Sequence, residues 1–227
     1  MQHFNIAIDG PAGAGKSTIA KMAAERLGFI YVDTGAMYRG MALYFLRQGI
    51  SPSDEEAIKQ ACSQVEITIR YENGVQQIYL NGENVSSLIR REEVGNMASA
   101  TSVYPAVREK LVELQRQLAA QANVIMDGRD IGTCVLPHAQ VKIFLTASVQ
   151  ERAKRRYLEL KAKGEKADLQ EIRRQIEERD DRDTHRENSP LVQAEDAVYL
   201  DTSSLDIQQA AGRVLAIAAE KGIELPS

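Results

Sequence analysis

Residues 10–18 read GPAGAGKST, which sets Gly10, Gly15, Lys16 and Ser17 at the spacing G-x-x-x-x-G-K-[ST]. That spacing suits the binding of a polyphosphate. Glycines let the backbone approach a bulky anion, successive N–H groups turn toward it, and a helix opening just after the loop adds the positive end of its dipole. The segment lies between the apolar run FNIAID (4–9) and a helical pattern over 16–26, as this geometry requires. Gly10, Pro11, Ala12, Gly13, Ala14, Gly15, Lys16, Ser17 and Thr18 are therefore expected to wrap the phosphates of ATP or GTP. Lys16 would bridge the β- and γ-phosphates, and Ser17 would offer its hydroxyl to Mg2+. A second apolar run, NVIMD (123–127), delivers Asp127 to the same sheet edge, where it is expected to hold Mg2+ through water.

A phosphate donor needs an acceptor, and the charged residues suggest one. The chain carries a net charge of −4, which argues against a nucleic-acid polymer as main partner. Arginine is nevertheless crowded between 152 and 186, at Arg152, Arg155, Arg156, Arg173, Arg174, Arg179, Arg182 and Arg186. Planar guanidinium forks in an acidic chain suit a small phosphate or carboxylate ligand. Further candidates flank the sheet edge: Thr34 and Arg39 in DTGAMYRG, Ser99 in NMASATS, Arg108 in YPAVREK, and Arg129 with Asp130 in DGRDIGT. The run EERDDRDTHRENSP (177–190), placed on a helix, puts Arg179, Arg182, Asp183 and Arg186 on one face and turns Asp180, Asp181 and Thr184 away. No N-K-x-D motif for reading guanine is present, which disfavours a GTPase, and little chain is left for the coupling domain of a motor.

The elements that must position these residues alternate. Strand-like runs at 4–9, 29–33, 123–127, 141–145 and 197–201 are separated by helical patterns at 16–26, 35–48, 104–121, 149–163, 168–187 and 206–220. Such alternation predicts an α/β fold around a parallel sheet. Gly28 and Gly49 follow helical stretches, and Asp168 stands as a cap. The stretch 65–85 breaks the rhythm, because Asn73-Gly74 and Asn81-Gly82 punctuate short alternating runs, and an antiparallel insert of about 63–87 is expected. The 227 residues suit a single domain. Cys62 and Cys134 are isolated and predict neither disulfide nor zinc, while His3, His138 and His185 lack metal spacing. No apolar stretch is long enough for a membrane span, and a complete, cytoplasmic protein is expected.

In order, DGPAGAGKST, VDTGAMYR, the insert, DGRDIGTCVLPHA, KIFLTAS and ERDDRDTHR resemble the bacterial cytidylate kinases over nearly the whole chain, most loosely in 50–85 and after 205. The resemblance implies a P-loop kinase fold of five parallel strands flanked by helices, with the insert as an acceptor flap and 149–187 as a helical lid. It implies phosphoryl transfer from ATP, with Mg2+, to CMP or dCMP, catalysed by Lys16, Arg129 and Arg186. The acceptor would be held by Thr34, Arg39, Ser99, Arg108, Arg129, Asp130, Arg179, Asp183 and Arg186. Thr34 stands where the family often has serine, and its hydroxyl keeps the donor. Cytosine presents an amino group beside two acceptors, so Ser99 and Asp130 could accept from the amine while Arg108 serves the ring. Arg179 and Asp183 would then take the ribose and Arg186 the phosphate. The partners implied are small nucleotides, with no nucleic-acid polymer, membrane or obligate protein; no long exposed apolar stripe in the sequence asks for a partner, so a monomer is expected. Arg155, Arg156 or Arg182 would close over ATP from the lid.

Overall fold

The computed structural model describes residues 3–223. Its elements are β1 (Asn5–Asp9), α1 (Lys16–Leu27), β2 (Ile30–Asp33), α2 (Thr34–Arg47), α3 (Glu55–Gln64), β3 (Ile67–Glu72), β4 (Val75–Leu80), β5 (Glu83–Asn84), α4 (Glu92–Thr101), α5 (Pro105–Gln121), β6 (Val124–Gly128), β7 (Val141–Thr146), α6 (Val149–Ala162), α7 (Leu169–His185), β8 (Val198–Asp201) and α8 (Ile207–Glu220). A single π turn, Ile131–Val135, follows β6. All five expected strands form, and they assemble in the order β2-β6-β1-β7-β8. β1 pairs in parallel with β6 and with β7, and β7 pairs in parallel with β8.

The chain divides into two compact units. The first comprises residues 3–31 and 122–223. Its core joins strand residues Ile6, Ile8, Ile125, Ile143, Leu145 and Leu200 to the inner faces of α1 and α8. Those helix faces are largely alanine, with Ala20, Ala23 and Ala24 on α1 and Ala210, Ala211 and Ala218 on α8, so the helices lie close to the sheet and to each other. Apolar side chains on both faces of β1 explain its unbroken hydrophobic run.

The second unit comprises residues 32–121. Its three-stranded sheet has the order β3-β4-β5, with antiparallel pairs running Ile67 to Leu80 through Glu72 to Val75. Asn73 and Gly74 have φ of 52° and 75°, and Asn81 and Gly82 have 48° and 83°. Two consecutive left-handed residues make each a type I′ turn, the geometry that Asn-Gly favours. The sheet is tied to the start of α2 by Gln76, whose Oε1 accepts from the Asp33 N–H at 2.7 Å and whose Nε2 donates to the Asp33 carbonyl at 3.1 Å. Gly40 of α2 meets the sheet directly, since a Cβ there would lie 2.9 Å from Ile78 Cγ2. Helices α3 and α4 were not expected from the sequence. α3 is capped by Asp54 and buries Ile58, Ala61 and Cys62, whereas α4 buries Val94, Met97, Ala98 and Thr101.

The helical pair at 149–187 also forms, with Gly164 at φ 75° in the connection and Asp168 accepting from the Glu171 N–H at the head of α7. α7 ends at His185, and Arg186 is already extended, at φ −64° and ψ 140°. The reading that placed Arg186 on the helical face is therefore corrected.

Candidate active site

In the first unit the loop between β1 and α1 is shaped for an anion. Gly10, Gly13 and Gly15 have φ of 149°, 76° and 89°, and a Cβ on Gly10 would fall 1.9 Å from the Leu145 carbonyl oxygen. No side chain can stand there. Gly15 caps α1 with no side-chain hydrogen bond and no acidic residue in the first turn, whereas α2, α3, α6, α7 and α8 are each capped by Asp or Ser. The first N–H groups of α1 are thus left to an external acceptor. Lys16 folds back over the loop, its Nζ donating to the Pro11 carbonyl at 2.8 Å. Burial, reinforced by Arg129, pushes the Lys16 ammonium down to about 7, against the pull of Asp127 and Asp9.

At the end of β6, Asp127 accepts from Ser17 Oγ through one oxygen and from Tyr31 Oη through the other, both at 2.8 Å. These hard oxygen ligands at the end of the loop fit Mg2+, which holds few protein groups and fills its octahedron with phosphate oxygens and water. Ser17 directly, and Asp127 through water, would hold it.

Asp9, the last residue of β1, accepts from the backbone N–H groups of Ile131 at 2.8 Å and Gly132 at 2.7 Å. It anchors the turn that carries Arg129 and Asp130. Burial pushes its carboxyl up to about 6 despite those two hydrogen bonds. Sequence reasoning passed over Asp9, which reads as an ordinary residue before a turn glycine.

The same unit brings together five of the acceptor candidates. Arg129 Nε donates to Asp183 Oδ2 at 2.8 Å, and Arg186 donates to the Ser189 carbonyl at 2.7 Å and reaches Asp130 at 3.5 Å. Burial alone would raise the Asp183 carboxyl, but Arg129, with Arg179 and Arg186, holds it below the usual range. Arg129 is raised by Asp183, Asp127 and Asp9 although burial opposes its charge. Four cations, Lys16, Arg129, Arg179 and Arg186, are thus set among four carboxylates, Asp9, Asp127, Asp130 and Asp183.

Two expectations for α7 are corrected. Arg182 is exposed, and Asp180 faces inward to hold the buried Arg152 through both oxygens, at 3.0 and 2.6 Å. The reason is helical phase. Ile172 and Ile176 mark the inner side, and steps of 3.6 residues from them reach Arg179, Asp180 and Asp183, not Arg182. Those two isoleucines were the signal that could have found it. Arg156, Arg173 and Arg174 are likewise exposed, in local pairs with Glu159, Glu177 and Glu171, and belong to a solvated face. Arg155 instead bends to the phosphate loop, donating to the carbonyls of Thr202 at 2.8 Å and Ala14 at 3.4 Å.

In the second unit, Thr34 is buried at the start of α2, where Asp33 caps the helix by accepting from the Ala36 N–H at 2.9 Å. Arg39 on the next turn reaches α4, where a Cβ on Gly95 would lie 3.6 Å from its Nη2. Ser99 follows Gly95 by one turn, and its Oγ is buried with no hydrogen-bond partner among the described residues. Arg108 is buried on α5 and donates to Tyr38 Oη at 3.3 Å. Tyr38 also went unremarked in the sequence, although it sits inside the DTGAMYRG segment.

A parallel sheet whose first loop is built for polyphosphate, with a second cationic set beside that loop, defines a P-loop kinase. The family model for cytidylate kinase matches residues 6–220. The chain is 51% identical over 215 residues to a cytidylate kinase of Caldicellulosiruptor bescii, covering 95% of each chain, and 50% identical over 220 residues to one of Desulfitobacterium hafniense, covering 97% and 94%. A solved structure of an uncharacterized protein from Eubacterium ventriosum has the same fold, with a TM-score of 0.53, 12% identity and coverage of 94% and 97%. The chain belongs to the cytidylate kinase family.

Proposed function

We propose that this chain transfers the γ-phosphoryl group of ATP to CMP or dCMP, yielding ADP and CDP or dCDP. The observation that carries the reading is the second cationic set, Arg129, Arg179 and Arg186 around Asp183, in the same unit as the phosphate loop. A nucleotide switch or a simple hydrolase needs one anion site, whereas a kinase with a phosphorylated acceptor needs two.

The acceptor oxygen belongs to a phosphate that is anionic near neutral pH, so a general base is dispensable. Lys16, Arg129 and Arg186 would stabilise the charge spread over the equatorial oxygens during in-line transfer, while the phosphate-loop N–H groups hold the donor. Mg2+, when bound, would neutralise the β- and γ-oxygens. The segment 149–187 would act as a lid that excludes water as a competing acceptor, with Arg155, already turned toward the loop, its contact to ATP.

In the second unit, Thr34, Arg39, Ser99 and Arg108 supply the remaining acceptor contacts. The buried, unpartnered hydroxyl of Ser99 supports a base-reading role, since it costs stability unless a ligand completes it. Together with Asp130, Ser99 would accept from the cytosine amine while Arg108 serves the ring acceptors. Uracil places a carbonyl where that amine stands and should be disfavoured. Asp183 and Arg179 would hold the ribose. The reading extends to a cytoplasmic monomer whose partners are small nucleotides.

A coupled ADP-release assay with CMP, dCMP, UMP, AMP and dTMP tests the proposal. CMP and dCMP should turn over with the highest kcat/KM. Turnover of another monophosphate in their place would sink the specificity, and ADP release independent of any acceptor would sink the kinase reading.

A further inference from the structure

We infer that the Arg152–Asp180 pair is a positioning device that transmits occupancy of the ATP loop to the acceptor grip. This rests on the reading that Arg129 and Asp183 hold the monophosphate. Arg152 is 4% exposed, and its guanidinium is engaged on every side. Nε donates to the Ala147 carbonyl at 2.9 Å, Nη1 donates to the Ala12 carbonyl at 3.0 Å, and Nη1 and Nη2 clasp the two oxygens of Asp180 at 3.0 and 2.6 Å. Ala12 belongs to the phosphate loop. Asp180 lies three residues before Asp183, so the two carboxylates stack on one face of α7, and Asp183 holds Arg129 at 2.8 Å. A continuous path therefore runs from the Ala12 carbonyl through Arg152, Asp180, one turn of α7 and Asp183 to Arg129.

The loop has a built-in reason to change when ATP arrives. Lys16 Nζ now donates to the Pro11 carbonyl, and a β- or γ-phosphate would draw it away. Pro11, Ala12 and Gly13 are then free to reset, and a Cβ on Gly13 would lie 3.6 Å from Arg152 Cβ, so this stretch runs along the arginine stem. A shift of the Ala12 carbonyl re-aims a guanidinium that has no slack, and the bidentate clasp passes that shift to α7. The exposed Arg173–Glu177 pair on the same helix has no such leverage, because water screens it and nothing beyond it depends on its position.

The consequence is thermodynamic coupling that works in both directions. CMP should bind at least about fivefold more tightly in the presence of a non-hydrolysable ATP analogue than without it, and the analogue should gain by the same factor from CMP. Calorimetric titrations of the full chain with each nucleotide alone and with both measure this. D180N keeps one acceptor for Arg152 but weakens the clasp. It should cut the mutual gain to below about twofold while each single affinity stays within about threefold. R152M/D180L leaves no orphaned buried charge and should therefore fold with a Tm near that of the parent chain, yet it too should lack coupling. E177Q should leave the coupling intact. Independent binding in the unaltered chain, or full coupling in D180N or in the double variant, would overturn the link. D183A separates this from the site assignment. If D183A binds CMP as tightly as the parent chain, the acceptor reading fails; if D183A loses CMP while D180N stays coupled, only the link fails.

Discussion

Lys16 is buried beside Arg129, and those two influences push its ammonium down to about 7 from an ordinary 10.5. The unfolded chain then binds more protons than the folded one between those values, so Lys16 makes the ligand-free protein more stable as pH rises across that window. A nucleotide phosphate reverses the balance, because an anion against the ammonium favours its charged form. ATP binding at pH 8 should therefore take up a substantial fraction of a proton, and binding at pH 6, where Lys16 already carries its charge, should take up less through this group. Calorimetry in buffers of different ionisation enthalpy reads the difference, and equal uptake at both pH values would remove Lys16 from the phosphates. At this scale the sequence was legible wherever spacing encodes contact. The glycines and lysine of the loop follow a fixed pattern because the phosphate imposes it. Asp9, Tyr31 and Tyr38 follow none, since their partners, the Ile131 and Gly132 amides, Asp127 and Arg108, are remote in sequence.

Among the elements, the parallel strands and the Asn-Gly insert were readable because each has a local cause: continuous apolar runs in β1 and β6, and left-handed turn residues at Asn73-Gly74 and Asn81-Gly82. α4 was not readable, since Gly95 and Asn96 interrupt a short apolar pattern whose helix is secured by burying Val94, Met97, Ala98 and Thr101. α7 was readable as a helix but not in its phase, because charged residues outnumber the two isoleucines that fix which side is buried. The contact between α2 and the small sheet supplies a test at this scale. Gly40 lets α2 settle on Ile78 and Ile67, and an added methyl would lie 2.9 Å from the first and 3.3 Å from the second. Ile78 is fully buried and cannot swing aside. Gly40→Ala improves helix propensity by about 1 kcal/mol but overpacks this contact at a cost of roughly 1–3 kcal/mol. A lower Tm is expected, and a Tm equal to or above that of the parent chain would show that the sheet yields freely.

For the whole molecule, the proposed division of labour assigns donor contacts to the first unit alone and acceptor contacts to both. Hydrogen exchange can test this, because a bound ligand slows opening of the segments it touches in proportion to how far it stabilises them. ATP alone should protect residues 10–18 and the start of α1, where uncapped N–H groups gain an acceptor. CMP alone should protect the turn from Arg129 to Val135 and the end of α7 near Asp183 in the first unit. It should also protect α4 around Ser99 and the first turn of α5 around Arg108 in the second. Protection of the second unit is the discriminating result, since the phosphate and ribose contacts assigned to the first unit are ones that many phosphorylated ligands could satisfy. The base was assigned to Ser99 on α4 and Arg108 on α5, with Asp130 its one contact in the first unit. If CMP protected the first unit while α4 and α5 exchanged as in the free protein, cytosine would have to be read elsewhere, and Ser99 and Arg108 would lose their roles. If UMP protected α4 and α5 as strongly as CMP, the amine would not be what Ser99 reads, and discrimination would have to arise at the chemical step.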